Sequence, residues 1–330
     1  MVTVPYREGA GWLPGSLGPY RPLELDPASA VLHYAQSVFE GFKAFRQVDG
    51  SIATFRPDAN AERMQRSARR MAMPEVPTSL FMQAADMLIR QDRDWVPTVK
   101  GSSLYVRPLL IATDRFLGVR PSLEYLFLVM ASPSDSYFHG GVKPVKVWVC
   151  ENYVRAAPGG TGSAKFGGNY AAGLLAQVEA TARNCAQVVW LDAVHRAHVE
   201  EMGGMNVFFV FQEHGRTTLV TPKLTGTLLP GITRDSLLRL APTLGYEVQE
   251  RTVTLDEWIS ESRSGRITEA FACGTAAVVT PIGAACSEQG EWQVGDGQGG
   301  PVARQLREHL LAIQYGEAPD TFGWMHSVTP

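Results

Sequence analysis

The sequence predicts a mixed α/β protein built as two domains, and three observations support that reading. Segments with helical periodicity alternate with short β-branched or aromatic runs. A turn-rich stretch breaks the pattern between Ser132 and Pro144, and 330 residues with 45% hydrophobic and 19% charged side chains suffice for two ordinary cores. A formal charge of −3 leaves too little positive surface for general polynucleotide binding. The longest apolar runs, Tyr125 to Ala131 and Val207 to Phe211, have strand length and fall far short of the ~20 residues that span a bilayer. Met1 to Pro14 has neither a basic stretch leading into an apolar one nor the Arg/Ser-rich character of a transit peptide, so a cytoplasmic location is expected.

Taken in chain order, periodicity predicts helices over Asp58 to Met71 and Ser79 to Trp95, then strands over Ser103 to Ala112 and Tyr125 to Ala131. The turn formers that follow predict a smaller N-terminal domain over 1–134, a linker over 135–144 and a larger C-terminal domain over 145–330. The larger domain opens with a strand at Val145 to Glu151, a Gly-rich loop at Gly159 to Gly168 and a helix over Asn169 to Arg183. Strands are predicted at Gln187 to Leu191, Asn206 to Gln212, Thr217 to Thr221, Tyr246 to Val253 and Thr268 to Cys273. Helices are predicted at Thr233 to Leu244, Asp256 to Ser264 and Pro301 to Gln314.

Several motifs dissolve on inspection. Cys150, Cys185, Cys273 and Cys286 are widely spaced, form no C-x-x-C, and read as reduced core residues. His195 and His198 make a close pair, but no further ligand pattern accompanies them, so no metal is expected. Gly295 to Gly300 matches G-x-G-x-x-G with only thirty residues after it, too few for the βαβ unit a dinucleotide fingerprint must open. The loop ending at Lys165 resembles a phosphate loop only superficially, because Ala164 replaces the glycine and Phe166 replaces the magnesium-binding hydroxyl.

Lys165 itself stays informative. It is one of six lysines in the chain and lies in a Gly-rich, otherwise uncharged segment before a helix. An isolated lysine is ordinarily a solvated surface charge. Small neighbours nevertheless allow close approach and partial burial, and desolvation turns an ammonium into a nucleophile toward carbonyls.

Ser163-Ala-Lys165-Phe-Gly-Gly-Asn-Tyr170 resembles the lysine motif of the branched-chain amino-acid aminotransferases, pyridoxal-phosphate enzymes of fold type IV. Other segments agree in order: Leu32 to Gly41, Leu104 to Pro108, Glu201-Met-Gly-Gly-Met-Asn206, Leu229-Pro-Gly-Ile-Thr-Arg234, Cys273-Gly-Thr275-Ala276 and Ile313 to Gly316. The resemblance runs from about Trp12 to Tyr315. It implies a two-domain fold of mixed sheets with flanking helices. It also implies reversible transamination between leucine, isoleucine or valine and 2-oxoglutarate, by a ping-pong route on pyridoxal 5′-phosphate.

In that resemblance Lys165 binds the cofactor as a Schiff base and shuttles the proton at the substrate Cα. Glu201 pairs with the pyridine nitrogen, and Tyr170 hydrogen-bonds the ring's O3′. Arg63, the backbone of Ile232 and Thr233 at a helix start, and the Thr275 hydroxyl take the phosphate, with Leu229 also against the cofactor. The substrate α-carboxylate meets the backbone amides of Thr275 and Ala276. Phe39, Tyr105 and the Tyr34 of a partner subunit wall the side-chain pocket, and the homodimer follows from that last contribution. Tyr105 and Arg107 stand two residues apart on one strand face, offering a hydroxyl and a guanidinium to a γ-carboxylate.

The chain departs from the family pattern in places. Asn60 stands where the family often has histidine, Thr275 to Thr280 lacks the C-x-x-C of some members, and the chain begins close to the Gly11-Trp12 segment. A D-amino-acid aminotransferase or aminodeoxychorismate lyase of the same fold is the alternative reading. The Leu104 to Pro108 and Ile313 to Gly316 motifs favour the branched-chain group.

Overall fold

The computed structural model describes residues 1–135 and 143–328, so most of the expected linker lies outside the described residues. The chain forms two compact units, but not by the single cut expected. Met1–Ser136, Ala164–Gly168 and Ala312–Pro330 make one unit, and Tyr137–Ser163 with Asn169–Leu311 the other. The expected assignment of all of 145–330 to the second domain is therefore corrected twice. The segment around Lys165 is held from both sides by the first unit: its amide donates to Ser67 Oγ at 2.9 Å, and its carbonyl accepts from the Phe39 amide at 3.1 Å. The C-terminal strand Met325–Ser327 pairs with Ile52–Phe55, and the Tyr315 ring packs edge-on against Phe45 at 5.1 Å.

The first unit is a nine-stranded sheet in which every pairing is antiparallel. Its longest strands, Ser103–Ala112 and Glu124–Ser134, pair along ten positions; the first matches its predicted run and the second extends its own by a few residues. Helix Pro57–Arg70 places Pro57 in its first turn, where a missing N–H costs nothing, and turns Ala61, Met64 and Ala68 inward. Helix Thr78–Gln91 buries Phe81, Ala84, Ala85, Leu88 and Ile89; it stops short of the predicted Trp95, and the chain tightens into a 3₁₀ turn at Arg93–Trp95.

The second unit is a mixed sheet whose pairings close a ring. Strand Val199–Met202 pairs with Gln187–Leu191 on one side and Met205–Glu213 on the other, while Val145–Cys150, Val278–Ser287 and Ile267–Gly274 complete the circuit. Val147, Val189, Leu191, Val207, Phe209, Ala270 and Ala285 belong to one buried cluster within this unit, and Trp258 of helix Leu255–Ser264 packs on the same cluster.

Three further differences from the sequence expectation appear in this unit. The helix over Asn169 to Arg183 is broken into Gly167–Ala171 and Leu174–Ala182, with Gly173 between them where a Cβ would lie 3.0 Å from the Trp190 ring. Strand Val278–Ser287 was not expected, since Pro281 and Gly283 argue against a strand. Its register shifts beside Gly283, whose missing Cβ leaves room for the Gly297 carbonyl, 2.4 Å from where that atom would be. The strand predicted over Tyr246 to Val253 shrinks to Glu247–Glu250.

Candidate active site

In the first unit the expected residues Phe39, Arg63, Tyr105, Arg107 and Lys165 gather at one place. Strand Ser37–Phe39 and helix Pro57–Arg70 pin the Lys165 backbone, and its Nζ stands over the Phe39 ring, 4.9 Å from the centroid. The Arg107 guanidinium covers Phe39 as well, at 4.8 Å, and its Nη2 donates to the Tyr105 hydroxyl at 3.0 Å. Tyr105 thus pairs with Arg107 as its strand position requires. Gly41 permits this approach, because a Cβ there would sit 1.9 Å from the Tyr105 oxygen.

Burial and the nearby Arg63 guanidinium push the Lys165 amine down from 10.5 to about 8, with Glu40 acting in the opposite direction. At pH 8 about half of such an amine is free base, against about 0.3% for an ordinary lysine. That difference separates a poised nucleophile from a solvated charge.

Glu40 is a residue the sequence reading missed. Its side chain is fully buried, and it accepts from Arg63 Nε at 2.7 Å and Nη2 at 2.8 Å in a two-pronged ion pair. The signal was available, since Glu40 lies inside the Leu32 to Gly41 motif between Phe39 and Gly41. Asn60, at the place where the family often has histidine, is buried and donates to the Arg56 carbonyl at 2.8 Å.

Tyr34 lies apart from this cluster. It ends helix Ala30–Tyr34, donates its hydroxyl to the Leu117 carbonyl and stacks on Phe116 with centroids 6.1 Å apart. Leu32, Leu117 and Val119 nearby are 58%, 72% and 88% exposed, an unusual concentration of surface aliphatic side chains.

In the second unit the motif Glu201 to Asn206 folds as a hairpin. Its two-residue Gly-Gly turn has Gly203 at φ 57, which sets Glu201 directly across from Asn206. Glu201 is buried. Its Oε1 accepts from the Leu229 amide at 2.7 Å and Asn206 Nδ2 at 3.3 Å, and its Oε2 pairs with Arg155 Nε at 2.9 Å. Arg155 and Asn206 were not singled out from the sequence. Both belong to segments in or beside quoted motifs, but their role depends on strands that meet only in the fold. Leu229 contributes its backbone, its carbonyl also accepting from Asn206 Nδ2 at 3.0 Å.

Helix Ile232–Leu240 begins after Gly231 without a side-chain cap, so Ile232 and Thr233 open its first turn as expected. A Cβ on Gly231 would reach within 2.0 Å of Asn206 Oδ1, which ties this helix start to the Glu201 hairpin. Tyr170 lies on helix Gly167–Ala171 against Gly204, whose missing Cβ would stand 3.1 Å from its ring. Thr275 and Ala276 occupy the turn joining strands Ile267–Gly274 and Val278–Ser287. Val278 closes that turn at φ 62, a strained conformation for a β-branched residue.

Taken unit by unit, the donors suit the parts of an aromatic phosphorylated aldehyde. The first unit offers a depressed amine; the second offers a buried carboxylate met by neutral and charged groups and an uncapped helix start of the kind that receives anions.

Comparison with known proteins agrees with this chemistry. Residues 37–285 match the family described as amino-transferase class IV. The branched-chain-amino-acid aminotransferase of Mycolicibacterium smegmatis is 56% identical over 326 residues, 98% of this chain and 89% of that protein. The solved branched-chain amino acid aminotransferase of Escherichia coli is 30% identical with a TM-score of 0.78, covering 93% of this chain and 94% of that one. The solved T.th. branched-chain amino acid aminotransferase complexed with N-(5′-phosphopyridoxyl)-L-glutamate is 30% identical with a TM-score of 0.76, at 99% and 98% coverage.

Proposed function

This chain belongs to the class IV aminotransferases, among the branched-chain-amino-acid aminotransferases, and from that premise we propose how its own residues serve the reaction. The amino group of leucine, isoleucine or valine passes to 2-oxoglutarate in two half-reactions on pyridoxal 5′-phosphate, with Lys165 as the covalent anchor. When bound, the cofactor supplies the carbonyl that takes up the amino group and the ring that spreads the charge left on Cα.

Lys165 holds the cofactor and, once displaced by substrate, takes and returns the proton at the substrate Cα. Its depressed amine is the single observation that supports this role best, because a lysine at its ordinary value would be protonated and inert near neutrality. Glu201 would pair with the ring nitrogen of the bound cofactor and hold a proton there. Tyr170 donates to the ring oxygen. Arg63, Thr275 and the Ile232 and Thr233 amides secure the phosphate end, while the Leu229 backbone lies against the cofactor where it braces Glu201. The amides of Thr275 and Ala276 orient the α-carboxylate, and Phe39 excludes water from the side-chain pocket.

Arg107 and Tyr105 give one pocket two faces. Phe39 and the tyrosine ring suit a branched aliphatic chain, while the paired guanidinium and hydroxyl suit a γ-carboxylate. The glutamate derivative complexed with the T.th. enzyme supports acceptance of that second substrate. Tyr34 completes the pocket of a partner subunit, and the exposed Leu32, Leu117 and Val119 beside it supply the apolar surface a homodimer covers. Four free, buried cysteines fit the reducing cytoplasm.

The test is to purify the protein with pyridoxal phosphate and follow its visible band on adding L-isoleucine, with and without 2-oxoglutarate, while measuring glutamate. Loss of the band with L-isoleucine and glutamate formation supports the reading. A response to D-alanine alone moves the chain to the D-amino-acid branch.

A further inference from the structure

Arg155 has no place among the residues assigned to cofactor or substrate, yet its guanidinium is buried and meets three acceptors within the second unit. Its Nε pairs with Glu201 Oε2 at 2.9 Å, its Nη1 donates to the Thr227 carbonyl at 2.8 Å, and its Nη2 donates to the Gly162 carbonyl at 3.3 Å. Gly162 and Thr227 are themselves in close contact, since a Cβ on Gly162 would lie 2.1 Å from the Thr227 oxygen. Three segments therefore converge on one rigid fork: the Gly-rich loop, the stretch before Leu229, and the strand bearing Glu201. Two hydrogen-bond donors to Glu201, Leu229 N–H and Asn206 Nδ2, are neutral, and both act on Oε1. Arg155 alone among these three groups brings a full charge, and it meets the other oxygen as an ion pair.

We propose that Arg155 is a positioning residue, which fixes the rotation of the Glu201 carboxylate and offsets part of its charge, so setting the proton affinity of the group that Glu201 faces. This rests on the assignment of Glu201 to the ring nitrogen given above. The planar fork is essential to the argument. A lysine keeps the charge but cannot reach all three acceptors at once.

The experiment uses the full chain loaded with pyridoxal phosphate. In Arg155→Gln the unbalanced carboxylate holds a neighbouring cation more strongly, so the pH midpoint of the visible band rises by about half a unit or more. The kcat for L-isoleucine falls about tenfold or more while KM stays within about twofold, the signature of a lost transition-state interaction. In a Glu201→Gln background the same substitution adds nothing to either readout, because the two residues act as one unit. An unchanged midpoint in Arg155→Gln, or effects that multiply in the double variant, overturns the proposal. If Glu201→Gln alone leaves the midpoint and rates untouched, the glutamate assignment itself fails. If Glu201→Gln moves them and Arg155→Gln does not, only the role of Arg155 fails. Should Arg155→Gln not fold, Arg155→Lys decides: a lowered kcat that disappears in the Glu201→Gln background supports the proposal, and an unchanged kcat contradicts it.

Discussion

Two buried arginine–glutamate pairs, one in each unit, are built differently. Glu40 and Arg63 meet side-on through two short hydrogen bonds, carboxylate to guanidinium, beside the Lys165 amine. Arg155 and Glu201 meet through one contact, and their other atoms reach the backbone of Gly162, Thr227 and Leu229. The first arrangement is a local charge balance that adjusts a neighbouring lysine. The second is a brace whose ends are main-chain groups from distant segments. A buried pair is seldom a net source of stability, so what distinguishes these two is the group each one serves.

The largest expected effect removes the group that the first pair serves. Lys165→Ala is expected to abolish the visible band and lower transamination by on the order of 10³-fold or more. Retained turnover ends the lysine assignment, and the comparison of the two pairs with it.

Glu40→Gln breaks the first pair while leaving Arg63 buried, which is expected to cost about 3–5 kcal/mol in thermal or denaturant unfolding. It also removes the carboxylate that holds the Lys165 amine up, so that amine is expected to titrate below its value of about 8. A variant as stable as the parent would mean that the arginine is already compensated elsewhere.

Glu201→Gln is expected to leave cofactor bound and slow proton transfer by about 100-fold, seen as a lowered rate in single-turnover measurements. Equal rates in variant and parent would reduce the second pair to scaffolding.

The pH dependence sharpens the first half of the comparison. Only the unprotonated amine attacks a carbonyl, and its population grows as pH rises toward the folded-state value. Cofactor uptake by the cofactor-free protein is therefore expected to climb about tenfold per pH unit below about 8 and to level off above it, not near 10.5. In Glu40→Gln the plateau is expected to begin at lower pH. The smallest effect belongs to Tyr105→Phe, which removes the acceptor of the Arg107 hydrogen bond. It is expected to change KM for 2-oxoglutarate a few-fold while leaving that for leucine nearly unchanged.

The sequence was readable where local pattern decides the outcome. Helix Pro57–Arg70 and strands Ser103–Ala112 and Gln187–Leu191 match their expected spans to within a residue at each end, because amphipathic period and β-branched runs specify them without help from elsewhere. Strand Val278–Ser287 was hidden, because its Pro281 and Gly283 are tolerated only by the partners and the register shift that the assembled sheet provides. The same division runs through the candidate site. Lys165 and Glu201 lie in recognisable motifs, whereas Glu40 and Arg155 gain their meaning from Arg63, 23 residues from Glu40, and from Thr227, 72 residues from Arg155. The allocation of Ala164–Gly168 to the first unit was equally invisible, since it depends on the Ser67 hydroxyl and the Phe39 amide closing on Lys165 from separate elements.

The most direct test of the central claim is to treat the protein with pyridoxal phosphate, reduce the linkage with borohydride, and locate the modified lysine by peptide mass mapping, with L-isoleucine added before reduction in a parallel sample. Among the six lysines, Lys165 is expected to be labelled selectively, and the amino acid is expected to prevent the labelling. Label on another lysine, or label indifferent to L-isoleucine, would contradict the account.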